Sequence, residues 1–103
     1  MHTAVRIYEM TEDWDDTLRT NLTDRFIPAL ERLPGFVSYQ AIEADRRLFC
    51  SVTVFDDRKG IEDSNRLAAE YIQRNLADRF PSAPEVTAGE IRVSSGIQAP
   101  LRT

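Results

Sequence analysis

The chain of 103 residues predicts an α+β domain whose elements follow the order β-α-β-β-α-β. Four segments are rich in β-branched and aromatic residues, and two longer segments repeat apolar residues every three or four positions. Proline, glycine and aspartate separate them. This order is the ferredoxin-like arrangement, with an antiparallel sheet. We expect a single domain over residues 1–103, with its core at about 3–95 and a short tail at 96–103.

The first strand and the first helix come from the first third of the chain. Residues 3–10, TAVRIYEM, have strand composition, and Thr11 and Asp13 are candidate N-caps of the helix that follows. Pro28 lies inside this helix and should kink it or separate its last turn, because proline has no amide proton to donate. The Pro-Gly pair at 34–35 ends it. The apolar face of the helix consists of Trp14, Leu18, Leu22, Phe26, Leu30 and Leu33.

The middle of the chain predicts a β-hairpin. Residues 36–44, FVSYQAIEA, form its first strand, and residues 47–56, RLFCSVTVFD, form its second. The pair Asp45-Arg46 is short enough for a tight connection between them.

The second helix and the fourth strand complete the order. Asp56 or Asp57 can cap the helix, and Pro81 stops it. Residues 86–95, VTAGEIRVSS, read as the last strand. The helix has one apolar stripe, flanked by Leu67 and Tyr71, which consists of Ile61, Asn65, Ala68, Ile72, Leu76 and Phe80.

Both faces of the predicted sheet are apolar. In the third strand one face has Leu48, Cys50, Val52 and Val54, and the other has Phe49, Ser51, Thr53 and Phe55. Two helices of this length can cover only one face of such a sheet. We therefore expect a second copy of the chain to cover the other face, in a closed two-fold homodimer.

The composition excludes several classes of protein. A net charge of −4 and a pI near 4.9 argue against binding to nucleic acid. Cys50 is the only cysteine and His2 the only histidine, so neither an intrachain disulfide nor a zinc centre is expected. We expect Cys50 to be a buried, unreactive thiol. There is no apolar run of membrane length and no signal-peptide pattern, so we expect a cytoplasmic protein with no membrane partner.

Residues 33–72, LPGFVSYQAIEADRRLFCSVTVFDDRKGIEDSNRLAAEYI, resemble the central block of a known superfamily, the dimeric α+β barrels. Within it they are most similar to the antibiotic-biosynthesis-monooxygenase-like (ABM-like) domains. The shared features are a helix that ends in Pro-Gly and an aromatic residue, a hairpin that leaves through Phe55-Asp56, and a helix with Ser64 and then Tyr71. The resemblance covers about residues 3–95.

This resemblance implies a barrel formed by two sheets across a homodimer, with a cleft in each protomer for a small apolar or aromatic ligand. The superfamily includes cofactor-free oxygenases of phenolic or quinol-type substrates, haem-degrading enzymes and isomerases. In the oxygenases the carbanion of the substrate itself is thought to reduce O₂. The second helix here lacks the histidine that ligates iron in the haem-degrading branch, and Tyr71 takes the place of a typical tryptophan. We therefore expect no haem and no other cofactor.

Five residues are candidates for a site. Asn65 and Tyr71 on the second helix are the candidate catalytic residues, because an amide and a phenol can hydrogen-bond an enolate or carbonyl oxygen. Arg6, Tyr8 and Tyr39 on the strands are the candidate substrate-binding residues, with Arg6 able to hold an anion.

Each candidate also has a structural alternative. Asn65 could be satisfied by the protein itself, and Tyr71 could simply pack with its hydroxyl at the rim. Tyr8 and Tyr39 could belong to the dimer interface, where tyrosine is enriched. Arg6 could form an ion pair with a carboxylate of the same sheet, Glu43 or Glu90.

Three functions remain open at this point. The first is a cofactor-independent monooxygenase of a small phenolic or quinol-type substrate. The second is a non-catalytic dimeric module that binds a small ligand or a protein. The third is an isomerase or decarboxylase of an aromatic acid, for which Arg6 would hold the carboxylate. Whether the protein is an enzyme stays open.

Overall fold

A computed structural model describes residues 1–45 and 47–96. Its sheet has four antiparallel strands in the order β2-β3-β1-β4, and this confirms the predicted ferredoxin-like fold class. The predicted Asp45-Arg46 connection lies partly outside the described residues, and so does the predicted tail at 96–103. The strands are β1 (His2–Glu9), β2 (Phe36–Glu43), β3 (Leu48–Phe55) and β4 (Glu85–Glu90).

The fourth strand is shorter than the sequence predicted. It ends at Glu90 instead of residue 95, because its only neighbour is β1 and Glu90 already pairs with His2, the first residue of that strand. One further backbone bond, from the Ile91 N–H to the Met1 carbonyl, extends the pairing at 2.9 Å.

The first helix begins later than predicted. Its N-cap is Asp15, whose carboxylate accepts a hydrogen bond from the Leu18 N–H at 2.9 Å, so the predictions of Thr11 and Asp13 are wrong. Those two residues lie in the loop before the helix. Three segments follow without a break: α1 (Asp16–Asn21), a π-helical turn (Leu22–Phe26) and α2 (Ile27–Glu31).

Pro28 accounts for this division. Because its nitrogen has no proton, it cannot continue the α-helical ladder. The Ile27 N–H bonds to the Leu22 carbonyl in the wider π pattern just before it, and Pro28 then stands in the first turn of α2. The apolar stripe still faces the sheet, with its centre fully buried at Leu18, Leu22, Phe26 and Leu30.

The second helix is α3 (Arg58–Asn75). Asp57, one of the two predicted caps, accepts a hydrogen bond from the Gly60 N–H at 3.1 Å. The helix ends at Asn75, but Leu76 and Phe80 in the following turn still pack into the core.

Both helices lie on one face of the sheet. Alternate residues of β1 and β3 point to them and are buried, whereas those of the other face are half-buried or exposed. This second face, which we call the open face, exposes 37% of Ile7 and 43% of Ile42. Cys50 lies here and is half-buried in the single chain, because none of the described helices covers its side of β3. None of the helices in the described part of the chain is long and apolar enough to cross a membrane.

Candidate functional site

Arg6 is the centre of the site. It stands in the middle of β1, on the face covered by the helices, and only 2% of its surface is exposed. Its Nη2 donates a hydrogen bond to the Thr53 hydroxyl of β3 at 2.8 Å, and its Nη1 donates one to the amide oxygen of Asn65 on α3. The structure thus joins two of the five predicted site residues directly.

The guanidinium of Arg6 has no carboxylate partner. Among residues 1–45 and 47–96 it forms no ion pair, so the predicted alternative of a bridge to Glu43 or Glu90 is wrong. Both carboxylates are at strand ends: Glu43 pairs with Phe49, and Glu90 pairs with His2. Burial lowers the pKa of Arg6. Since a buried charge without a counter-charge is costly, this position favours an anionic ligand.

Two tyrosines surround the guanidinium on the helix-facing side of the sheet. Tyr8 is 4% exposed and packs edge-on against Phe49 and Phe80, with ring centroids 5.5 and 5.2 Å away. Tyr39 packs edge-on against Phe26 at 5.4 Å. Tyr8 lies within the core of one chain, so the alternative that it belongs to a dimer interface is wrong. Tyr39 is half-buried and packs against that core.

Burial also determines the charge state of these tyrosines. It raises the pKa of both Tyr8 and Tyr39, although the positive charge of Arg6 opposes the shift. Both are therefore neutral phenols at pH 7 and can donate a hydrogen bond to a bound oxygen.

Tyr71 has a different environment. Its hydroxyl donates to the side-chain oxygen of Asn21 at 2.8 Å, and the Asn21 carbonyl lies 3.1 Å away. The bond connects the two helices, and only the ring of Tyr71 faces inward. Among the described residues, no hydrogen bond joins Asn65 to Tyr71, the two predicted catalytic residues.

A small internal cavity of about 20 Å³ lies between the helices and the sheet. That volume is enough for one water molecule. Its wall includes Arg6, Tyr8, Tyr39, Phe49, Ser51 and Tyr71, so four of the five predicted site residues meet there. Asn65 does not line it.

A much larger cleft of about 730 Å³ opens beside the cavity, between α3 and the edge strand β4. The turn after α3 closes one end of it with Phe80 and the loop up to Pro84. Its polar groups come from Arg6, Tyr8, Asn65, Gln73 and Ser82. Its volume is in the range of small-molecule sites, and most of the remaining wall is apolar.

Arg6 and Tyr8 line both the internal cavity and the cleft. The guanidinium therefore stands in the wall that divides them. A ligand in the cleft would meet a buried cation at one end and apolar surface from α3 along its length.

Sequence reasoning missed two residues of this site, Ser51 and Thr53. The signal was present, because both hydroxyls alternate with Phe49 and Phe55 on the helix-facing side of β3. Polar residues in a row of core positions are unusual unless they have a partner. Sequence reasoning also missed that Phe80 and the turn around it line the cleft, because the helical pattern assigned these residues to the second helix.

No protein-family model matches the chain, and no curated protein sequence is similar to it. Solved structures do share its fold. The protein NE2512 of unknown function from Nitrosomonas europaea superposes with a TM-score of 0.72, covers 93% of each chain and is 15% identical. A monooxygenase from the gene ActVA-Orf6 of Streptomyces coelicolor, in complex with the ligand Nanaomycin D, has a TM-score of 0.71, covers 93% of this chain and 91% of its own, and is 13% identical.

SnoaB from Streptomyces nogalater, a cofactor-independent oxygenase, has a TM-score of 0.65, covers 90% of this chain and 94% of its own, and is 14% identical. A structure from Chloroflexus aurantiacus that is assigned by name to the antibiotic biosynthesis monooxygenases also shares the fold, with a TM-score of 0.62, coverage of 93% of this chain and 97% of its own, and 16% identity. At such identities the likeness concerns the fold. The chain therefore has the ABM-like fold that the resemblance in residues 33–72 predicted.

Proposed function

We propose that this protein is a cofactor-independent monooxygenase of a small phenolic or quinol-type substrate. The observation that supports this most is the buried guanidinium of Arg6, which faces a cleft of small-molecule size and has no carboxylate partner among the described residues. Two structures with the same fold are oxygenases by name, and one of them is described as cofactor-independent.

The substrate binds in the cleft with its phenolic oxygen directed at Arg6. Asn65 and Thr53 accept hydrogen bonds from the two terminal nitrogens and fix the plane of the guanidinium. The positive charge favours the ionised substrate and so lowers the pKa of the bound phenol or enol. Tyr8 lines the same cleft and, as a neutral phenol, can donate a second hydrogen bond to that oxygen.

The enolate is the reductant in this reaction. Its carbon transfers electrons to O₂ and forms a C–O bond, which gives a peroxide anion. Protonation gives a hydroperoxide, and loss of water leaves a carbonyl at the same carbon. The balance is R₂CH₂ + O₂ → R₂C=O + H₂O, so no external reductant is required. The proton that leaves the substrate passes to water in the open cleft. Arg6 and Asn65 promote the reaction by stabilising the anion from which it starts.

The same geometry favours a second candidate, an isomerase or decarboxylase of an aromatic acid. A guanidinium without a carboxylate partner suits a substrate carboxylate as well as an enolate. The non-catalytic dimeric module requires only that the protein binds a small ligand or a protein partner. Oxygen consumption separates the first candidate from the other two.

The test is oxygen uptake by metal-free protein with a panel of quinols and anthrones, compared with Arg6→Met. We expect uptake of one O₂ per substrate, and a loss of at least roughly tenfold in the variant, since hydrogen bonds to charged groups contribute about 1.5–3 kcal/mol. Arg66→Met is the matched control, because Arg66 is an exposed arginine of α3 next to the site. Background uptake by the wild type across the panel would contradict the oxygenase.

A further inference from the structure

The internal cavity contains two buried polar atoms that have no partner. Arg6 and Ser51 are directly opposite each other on β1 and β3, and both side chains point into the helix-covered side of the sheet. The Arg6 Nε and the Ser51 Oγ form no hydrogen bond with the described residues, although only 2% of Arg6 and 1% of Ser51 is exposed.

Both of these atoms can donate a hydrogen bond. The Nε of a guanidinium has a proton and cannot accept, and the serine hydroxyl rotates freely. Orphaned donors at such depth cost roughly 1–3 kcal/mol each, so a partner is expected. None of the residues that line the cavity is acidic. Tyr8 and Tyr39 also line the cavity, but neither phenol oxygen accepts a hydrogen bond from these two atoms. The missing partner is therefore a separate hydrogen-bond acceptor, and the positive charge of Arg6 favours a negative one.

The cavity also limits the size of that partner. At about 20 Å³ it accepts one particle of the size of a water molecule, and its other walls are aromatic and aliphatic side chains. An organic carboxylate or a phosphate would not fit. The organic substrate proposed above therefore belongs to the cleft, and the cavity needs a separate occupant.

We propose that the cavity between Arg6 and Ser51 is a binding site for one water-sized anion. This site is separate from the cleft in which the proposed substrate binds, and its occupant is a free inorganic anion of halide size. The Arg6 Nε–H and the Ser51 O–H donate to it.

Halide binding tests this site without any organic substrate. The probes are sodium fluoride and sodium chloride at constant ionic strength, with sodium gluconate as the anion that is too large to enter. The readout is the ¹H–¹⁵N resonance of the Arg6 Nε–H, assigned by its absence in Arg6→Met. We expect a saturable shift with fluoride or chloride and none with gluconate. We also expect Tm to rise by roughly 5–10 °C at ten times the Kd.

Ser51→Ala removes one donor and should weaken halide binding about tenfold. Ser64→Ala is the matched control, because Ser64 is equally buried but its hydroxyl donates to the Ile61 carbonyl, away from the cavity. An Arg6 resonance that neither halide moves, or that moves equally in Ser51→Ala, would overturn the site. Failure of oxygen uptake with intact halide binding would contradict the oxygenase and leave the anion site in place.

Discussion

The guanidinium of Arg6 donates a hydrogen bond to the amide oxygen of Asn65, and this bond joins the middle of β1 to the first half of α3. An asparagine side chain is neutral, so it orients the cation without compensating its charge. A carboxylate at the same position would have done both. The choice of an amide leaves the charge of Arg6 available to a ligand.

Removal of the Arg6 charge should not destabilise the fold. A buried cation without a counter-charge opposes folding, so in Arg6→Met the free energy of unfolding should stay equal or rise by about 1–3 kcal/mol. Arg79 is the contrast, because its side chain is also mostly buried but pairs with Glu12 and Asp15 at 3.2 and 3.1 Å. Arg79→Met should lower stability. Chemical denaturation of both variants measures this, and a large loss in Arg6→Met would contradict the account.

A carboxylate at position 65 should stabilise the protein and impair its site. Asn65→Asp places an anion against Arg6 and supplies the missing counter-charge. We expect a higher Tm at pH 7, an advantage that disappears as the pH falls through the pKa of the new carboxyl. Turnover or ligand binding should fall roughly tenfold or more, because the substrate anion now competes with an internal one. Asn65→Ala is the control that removes the amide without adding charge. Tighter binding of an anionic substrate by Asn65→Asp would refute this reasoning.

Alkaline pH should destabilise the protein through its tyrosines. Burial raises the pKa of Tyr8, Tyr39 and Tyr71 above the ordinary value of 10.0. Because the unfolded chain loses these protons first, the free energy of unfolding is unaffected below pH 10 and decreases as the pH rises from there toward the folded-state pKa values. Absorbance of tyrosinate near 295 nm should appear in the denatured protein at a lower pH than in the native one. Tyr39→Phe should reduce the pH dependence most. Coincident titration curves for the two states would contradict this.

Gly60 should resist replacement even by alanine. A Cβ built at Gly60 would overlap the ring of Phe55, which is completely buried. Alanine is favoured in helices by roughly 1 kcal/mol, but overpacking against a core ring costs about 1–3 kcal/mol, so Gly60→Ala should be net destabilising. Gly89→Ala is the matched control, since a methyl group added there would meet no other part of the protein within 4 Å. Thermal melting that ranks Gly60→Ala above wild type would show that the ring moves freely.

The open face of the sheet should mediate the predicted homodimer. Ile7→Glu places a charge in this face, where the isoleucine is now 37% exposed, and should convert the dimer to a monomer. Thr23→Glu, on the exposed side of the first helix, is the control. Native mass spectrometry should give twice the 11.8 kDa chain mass for wild type and control. A monomeric wild type would mean that this apolar face has another purpose.

Much of the fold could be predicted from periodicity and turn residues. The alternation in β3 identified the two faces of the sheet, and the stripe from Leu18 to Leu30 identified the buried side of the first helix. The ends of the elements were harder. Asp15 and Asp13 are equally good caps by residue type, and only the geometry of the chain before the helix selects Asp15. The end of β4 depends on where its partner β1 begins, and the residues of β4 by themselves do not indicate that position.

The site was predictable as a set of residues but not as an arrangement. Polar side chains at core-facing positions identified Arg6 and Asn65, yet their hydrogen bond depends on the height at which α3 crosses β1. Likewise nothing local predicts that the Tyr71 hydroxyl is engaged by Asn21, fifty positions earlier in the chain. Tertiary packing, and not periodicity, determines such pairings.

The most direct test of the oxygenase proposal is the origin of the oxygen in the product. Metal-free protein would be incubated under ¹⁸O₂ with a quinol or anthrone that it converts. Mass spectrometry would then follow the product and the remaining O₂. The account predicts one ¹⁸O atom per product molecule, in the newly formed carbonyl, one O₂ consumed per substrate, and loss of both in Arg6→Met. Product that forms without ¹⁸O, or at the same rate in Arg6→Met, would contradict it.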